Sequence, residues 1–199
     1  LPLRKPRLGI PEGPYLRNAS AENLSHFEKI CKLLHDAGYE VHAIQVMSDF
    51  AEIRARQDVI MSAEAAHVHA DWFEEYENLY SPKFTELIRR GKAITDSQYQ
   101  EALAARDDFR AEMRRAFLDH NIDLWICPST IDVAPKGLDS TGDPIMNLPW
   151  TQAGLPTMNL PAGKNQDGLP LGLQVVANWY KDESLLFWSK DLARVLSSL

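Results

Sequence analysis

The stretch Gly154 to Gln174, GLPTMNLPAGKNQDGLPLGLQ, decides how the rest of the chain is read. It places four glycines and three prolines among Leu155, Met158, Leu160, Leu171 and Leu173, residues of the kind that fill a buried sheet. Such a mixture is unfavourable in a strand, because glycine loses backbone entropy on ordering and proline has no ladder donor. Thr157 to Leu160 and Leu171 to Val176 nevertheless read as two strands, joined through AGKNQDG in a hairpin whose loop exceeds two residues. The bends at Gly154 and Pro156 therefore need a reason of their own.

Working outward, DLWICP (Asp123 to Pro128) is a continuous apolar run that predicts a strand buried on both faces. The Pro-Ser-Thr that follows marks a loop at the strand's carboxyl end, where open α/β sheets carry their ligands. At the start of the chain, RLGIP (Arg7 to Pro11) predicts a strand, and Ser20 a helix N-cap. Leu24, Phe27, Cys31 and Leu34 recur at helical spacing, Gly38 closes the last turn, and EVHAIQV alternates as a strand. Residues 1–47 thus form a strand-helix-strand unit, which calls for parallel pairing. Residues 48–120 read as mainly helical. Ser48 to Tyr80 is rich in Ala and Glu, Ser81-Pro82 opens a helix that Gly91 ends, and Asp96 caps a long helix with Tyr99, Leu103, Met113 and Phe117 inward. Residues 121–199 complete the chain as strand, loop, hairpin and final helix. Asp182 is its expected cap, with Leu185, Leu186, Leu192 and Val195 turned inward. Between strand and hairpin, APKGLDSTGDPIMNLPW has little periodicity and reads as a long loop over the site or a partner, with Trp150 in it.

Composition excludes several classes. The 199 residues are 45% hydrophobic and 25% charged, ordinary globular material. A net charge of -7 without blocks of like charge argues against nucleic acid and anionic membranes as partners. Cys31 and Cys127 make neither a disulfide framework nor a metal-ligand spacing, which fits a reducing cytoplasm. No apolar run approaches the roughly 20 residues of a membrane span. A chain that opens on Leu1 without an initiator Met is expected to be part of a longer protein.

The order PST, AP-x-G, GDP, T-x-x-G-L-P-T-x-x-L-P-A-G and G-L-P-L-G-L-Q, followed by a D-x-x-L-L helix, closely resembles the carboxyl-terminal part of the amidase signature family. The likeness extends back through ALAARDDFRAEMRRAFLDHNIDLWICPS and, more loosely, to RLGIPEG and AGYEVHAI. It implies an α/β fold, a mixed sheet flanked by helices, and hydrolysis or transfer of carboxamides without metal or cofactor. It also implies that residues 1–199 are the carboxyl-terminal part of an amidase-like domain. Members of that family attack the amide with a serine, helped by a second serine on a cis peptide bond and a lysine, in a Gly-Ser-Ser-Gly-Gly type loop. This chain contains no such loop. The glycine-rich loop supplies oxyanion donors and open access that an isolated serine lacks. No catalytic residue is therefore assigned to this chain.

Possible substitutes have plainer readings. Ser81 with Lys83 reads as a helix start, Ser189 beside Lys190 as helix surface, and Ser129-Thr130 as a loop. His67 and His69, two apart on a helix, do not share a face and read as packing or surface. Asp71, Glu74, Glu75 and Glu77 read as a solvated face, as do Asp107 and Asp108. Trp125, Trp179 and Trp188 read as core. Trp150, Thr151, Gly154, Leu155 and Pro156 are the expected substrate-binding segment: the Gly154-Pro156 turn would bring bare main chain up to the channel of a small amide substrate. Trp150 is expected to be removable there with little loss of stability. Gly163, Gly168 and Gly172 read as room for close crossing.

Two functions fit. The first is the carboxyl-terminal portion of an amidase that contributes sheet and channel wall and has an amino-terminal catalytic half as its partner. The second is a non-enzymatic module of the same fold that binds a small molecule or a protein. An isolated chain of the first kind is expected to self-associate through strand edges, with Arg7 to Ile10 or Asp123 to Cys127 supplying the apolar faces.

Overall fold

A computed structural model describes residues 4–199. The chain forms two compact units. One comprises the residues up to Phe50 together with Arg110–Leu199, the other Ala51–Phe109.

The first unit is built on a five-stranded sheet. Its strands are β1 (Leu8–Glu12), β2 (Val41–Gln45), β3 (Leu124–Pro128), β4 (Thr157–Lys164) and β5 (Pro170–Ala177), in the order β2-β1-β3-β5-β4. β1 is parallel to β2 and to β3, while β5 is antiparallel to β3 and to β4. The sheet is thus mixed, as expected. Helix α1 (Ala21–Asp36) joins β1 to β2. Ser20 caps it by accepting from the Asn23 amide at 3.1 Å. Gly38, at φ 82°, ends it in the left-handed conformation.

Alternation along the strands divides the sheet into two chemically different faces. Leu8, Leu124, Ile126, Leu160, Ala162, Leu173, Val175 and Ala177 lie in one core with Phe27, Ile30 and Leu34 of α1 and Leu185, Trp188, Leu192 and Leu196 of α7 (Asp182–Leu196). The other face carries Trp125, Cys127, Gln174 and Val176 and is covered by aromatic rings. Gly9, paired with Trp125, has no room for a side chain there: a Cβ would lie 2.9 Å from the indole. The inward residues of α7 run 185, 188, 189, 192 and 196, a sequence that excludes Leu186, which is 58% exposed. Asp182 is the first residue of α7 rather than its cap, and the capping position is Lys181 without a side-chain bond.

β1 and β3 are interior strands, and Leu8 and all of β3 are buried. The apolar faces expected to drive self-association are therefore already covered. The open edges belong to β2 and β4.

The second unit is helical. It contains the greater part of α2 (Phe50–Val68), then α3 (Ala70–Tyr76), α4 (Pro82–Lys92) and the first half of α5 (Asp96–Asp119). Ala66, Phe73 and Ile88 form its core, joined by Tyr80 and Phe84. Ser81 caps α4, accepting from the Phe84 amide at 3.4 Å. The cap of α5 is Thr95, not Asp96. Its hydroxyl accepts from the Gln98 amide at 3.3 Å while Gln98 Oε1 accepts from the Thr95 amide at 2.9 Å, a reciprocal capping box.

Gly91 does not end α4, which continues to Lys92. It is there because α2 passes against it: a Cβ would fall 1.9 Å from the Ser62 carbonyl oxygen and 2.7 Å from the Ala66 methyl. Gly91→Ala should therefore destabilise the protein by about 2 kcal/mol or more in spite of alanine's better helix propensity, because two backbones must move apart. Denaturant unfolding measures this, and a stability equal to or above that of the parent would show that the helices separate freely.

Candidate functional site

β1 continues to β2 on one side, and the chain later returns as β3 on the other, so β1 and β3 mark a topological switch point. Open α/β sheets bind ligands at the carboxyl ends of strands beside such a point. The loops there are tied together. The Ser20 amide donates to the Ile131 carbonyl at 2.8 Å, and Asn23 Nδ2 donates to the Thr130 carbonyl at 2.8 Å.

Beneath this edge lies a buried polar network. The Tyr15 hydroxyl donates to the Met146 carbonyl at 2.8 Å and accepts from Trp150 Nε1 at 3.0 Å. Gln174 Nε2 donates to the same carbonyl at 3.1 Å, which occupies both of its lone pairs. Cys127 Sγ lies 3.2 Å from the Tyr15 hydroxyl and 3.5 Å from Gln174 Nε2. The rings pack edge to face, with Tyr15 5.6 Å from Trp150 and 5.4 Å from Phe50. Burial pushes the Tyr15 phenol well above its ordinary value and the Cys127 thiol up to about 11. Cys127 is thus a neutral thiol at neutral pH, unsuited to nucleophilic attack.

The network seats a short helix, α6 (Leu148–Ala153), which follows a 3-10 turn at Pro144–Met146. Trp150 is on this helix rather than in a loop, and is 1% exposed. A six-residue helix has few internal bonds, so its end groups matter. Its last four carbonyls all find donors. The Leu155 amide donates to Trp150 O, the Gly154 amide to Thr151 O, Arg110 Nε to Gln152 O and Trp179 Nε1 to Ala153 O. Gly154, at φ 66°, is the left-handed cap that makes the first two bonds possible. The Gly-Leu-Pro signature is thus a helix stop, and Pro156 passes the chain into β4 with its carbonyl accepting from the Ala177 amide.

Of the five residues expected to bind substrate, Thr151 and Gly154 face outward, Trp150 and Leu155 are buried, and Pro156 is half-buried. They form one continuous piece of backbone. Removing the Trp150 indole would empty a filled core site, at a cost of about 3 kcal/mol or more, which corrects the expectation of a small loss.

The other candidates keep their plainer roles. Ser81 is a helix cap; Ser189 is the exception, since it is buried in α7 and does not lie on the helix surface as expected. His67 is exposed, while His69 packs among Trp72, Tyr80 and Phe84 with its Nδ1 2.8 Å from the Tyr80 hydroxyl. Asp71, Glu74, Glu75, Asp107 and Asp108 are exposed. Among the described residues no group of three His, Cys, Asp or Glu could hold a metal ion, and no helix is long and apolar enough to cross a membrane.

Tyr15, Gln174, Asn147 and Asn159 were not anticipated. Gln174 had a signal, a lone polar residue inside LGLQVVA, and 4% exposure explains it as the anchor of the Met146 carbonyl.

Fold and site define an α/β chain whose polar groups gather at the carboxyl ends of its parallel strands. Comparison with known proteins narrows this. The sequence model of the Amidase family matches residues 2–186. The A subunit of the glutamyl-tRNA(Gln) amidotransferase of Wolbachia sp. subsp. Brugia malayi (strain TRS) is 29% identical over 208 residues, covering 90% of this chain and 42% of that protein. The crystal structure of an amidase superposes with a TM-score of 0.83 at 24% identity, covering 98% of this chain and 46% of that one. Fatty acid amide hydrolase superposes with a TM-score of 0.72 at 15% identity, covering 98% and 42%. The chain belongs to the amidase family and has the family's hydrolase fold. It spans somewhat less than half the length of these relatives.

The weight of the buried network is open to measurement. Tyr15→Phe should cost about 1–3 kcal/mol, because the Trp150 indole N–H is left buried without an acceptor; equilibrium unfolding reads it, and an unchanged midpoint would assign the network no weight. Alkaline pH should also weaken the fold. Cys127 and Cys31 titrate at about 11 and about 12 when folded, against an ordinary 9.0. The unfolded chain therefore loses these protons first. Stability is full below about pH 9 and falls by up to about 1.4 kcal/mol per pH unit for each thiol until its folded value is reached. Urea midpoints measured from pH 7 to 11 check this, and a flat profile for the parent, or an unchanged slope in Cys127→Ala, would contradict it.

Proposed function

We propose that residues 1–199 are the carboxyl-terminal part of an amidase that cleaves carboxamide C–N bonds, contributing sheet and substrate-channel wall while the nucleophile resides on an amino-terminal catalytic half. The observation that carries this reading is the family match over residues 2–186 in a chain without a serine-glycine loop. Coverage of 42% of the amidotransferase chain and 46% of the amidase leaves room in such proteins for another half. In this reading, α6 and its exit turn form the wall. Thr151 and the bare Gly154 backbone face the substrate, while Trp150, Leu155 and Pro156 shape that surface from beneath. No cofactor or metal takes part, and the protein works in the cytoplasm.

The 199-residue chain alone should turn over neither aliphatic nor aromatic amides and should not react with a fluorophosphonate probe, since it carries no activated serine. Stoichiometric labelling of Ser129 would overturn this. In the full-length protein, Thr151→Phe should change the ratio of kcat/KM for small and large amides by roughly tenfold, with little effect on Tm. An unchanged ratio would remove Thr151 from the wall.

The isolated chain should also self-associate, through β2. Both edge strands are open, but Pro161 interrupts β4, whereas β2 has no proline and exposes His42 and Ala43. Sedimentation at micromolar concentration should reveal a dimer, and a strictly monomeric species at every concentration would exclude it.

A further inference from the structure

Each of the three parallel strands is preceded by a charged residue. Arg7 stands before β1, Glu40 next to the start of β2 and Asp123 before β3. They gather at the amino ends of these strands, away from the carboxyl ends that carry the candidate site. Asp123 is fully engaged there. Its carboxylate accepts from Arg4 Nη1 at 2.6 Å, from Arg4 Nη2 at 2.9 Å and from the Arg7 amide at 2.7 Å. Lys5 is engaged too, donating to the Ala37 carbonyl at the end of α1 while its ammonium lies 4.9 Å from the centre of the Tyr39 ring.

The side chains of Arg7 and Glu40 are held far less firmly. The Arg7 guanidinium makes no hydrogen bond among the described residues: its Nε is buried without a partner, and its ion pair with Asp123 Oδ2 is a loose one at 3.9 Å. The Glu40 carboxylate makes no hydrogen bond either, and its one ion pair among the described residues is with His42 Nε2 at 3.7 Å, which requires a protonated imidazole. No ion pair joins Arg7 to Glu40 among the described residues. Yet both line one cavity of about 390 Å³, together with Arg4 and Lys5. It opens to solvent, since Arg4, Lys5 and Glu40 are exposed.

We propose that this cavity binds a small zwitterion, a carboxylate and an ammonium on one short carbon skeleton. A guanidinium presents parallel N–H donors that match the two oxygens of a carboxylate, and the Glu40 carboxylate complements an ammonium, which has donors only. A simple anion would meet Arg7 but also Glu40. A simple cation would meet Glu40 but also Arg4, Lys5 and Arg7. A ligand with both charges leaves neither facing its like, and it uses the two groups that the protein leaves uncommitted. The volume lies in the range of small-molecule sites. The site goes beyond the amidase reading and does not depend on it, because it lies at the other end of the strands from the candidate site and involves no reaction.

The test uses the protein labelled with 15N-arginine, at constant ionic strength because exposed charges are screened. The Arg7 Nε–H resonance is identified by its loss in Arg7→Gln. Titration with γ-aminobutanoate or its shorter homologue β-alanine should shift that resonance saturably. Butanoate, which lacks the ammonium, should bind about threefold more weakly, a modest factor because the Glu40 side chain is 68% exposed and exposed ion pairs are weak. Butylammonium should not compete. Glu40→Gln should lower the affinity for γ-aminobutanoate to that for butanoate, and Arg7→Gln should abolish the response, followed then on the Arg4 resonance. Glu40 is exposed, so its variant decides the matter if Arg7→Gln fails to fold. No shift with either amino acid, equal binding of butanoate, or an affinity unchanged in Glu40→Gln would overturn the site.

Discussion

The hydrogen bond from the Tyr15 hydroxyl to the Met146 carbonyl governs the carboxyl edge of the parallel strands in this fold. It joins the loop after β1 to the turn before α6, 131 residues apart in sequence, and the same hydroxyl accepts the Trp150 indole N–H. A buried carbonyl needs partners, and that of Met146 has two, the second coming from Gln174 in the middle of β5. Helix α6 is too short to be stable by itself. Its position is set by this one carbonyl at its entrance and by the glycine cap and side-chain donors at its exit. A buried polar network of this kind specifies one arrangement, because any shift leaves several groups unpaired together.

The glycines separate into two physical groups that look alike in a sequence. Gly38, Gly154, Gly163 and Gly168 adopt positive φ at helix ends, a strand irregularity and a loop. Gly9, Gly91 and Gly172 have ordinary backbones and are small because something else occupies the space. For Gly9 the occupants are the Ile122 side chain and the Trp125 indole, for Gly91 the backbone of α2, and for Gly172 two polar side chains. The first two are packing contacts that complete a core. The third is a polar contact at the β4 edge, where Asn159 is exposed and Ser129 half-buried.

The legible parts of the fold were those written in local chemistry. DLWICP became a fully buried strand, Ser20 and Ser81 became N-caps, and the glycine-rich stretch became an antiparallel hairpin. What could not be read depended on distant partners. Gly91 looks like a helix stop until α2 is laid against it. Trp150 looks like a loop residue because Pro149 precedes it, yet proline is well suited to the first turn of a helix. Thr95 and Asp96 are both plausible caps, and only the reciprocal bond of Gln98 selects the first. For the site, sequence reached α6 and its turn through a resemblance, but Tyr15 and Asn159 carry no local mark of importance. Their meaning comes from the sheet order β2-β1-β3-β5-β4, which no short motif encodes.

The two faces of the sheet support the division of labour proposed here. The face under α1 and α7 is wholly apolar and closed, with Leu124, Ile126, Leu173 and Val175 at 0% exposure. The opposite face has Cys127 and Gln174 at its centre and Ser129, Gly172 and Asn159 toward the β4 edge, where exposure rises. If stability alone had shaped it, an apolar residue at 174 would remove the need for a buried hydrogen bond there. Instead the polar groups become less satisfied with distance from the core. The Gln174 amide nitrogen reaches both the Met146 carbonyl and the Cys127 sulfur, Cys127 in turn shares the Tyr15 hydroxyl, and the side chains of Ser129 and Asn159 have no partner among the described residues. A gradient of this kind leaves the least satisfied polar groups at the β4 edge, where Ser129 is tied to Asn147 at the entrance of α6.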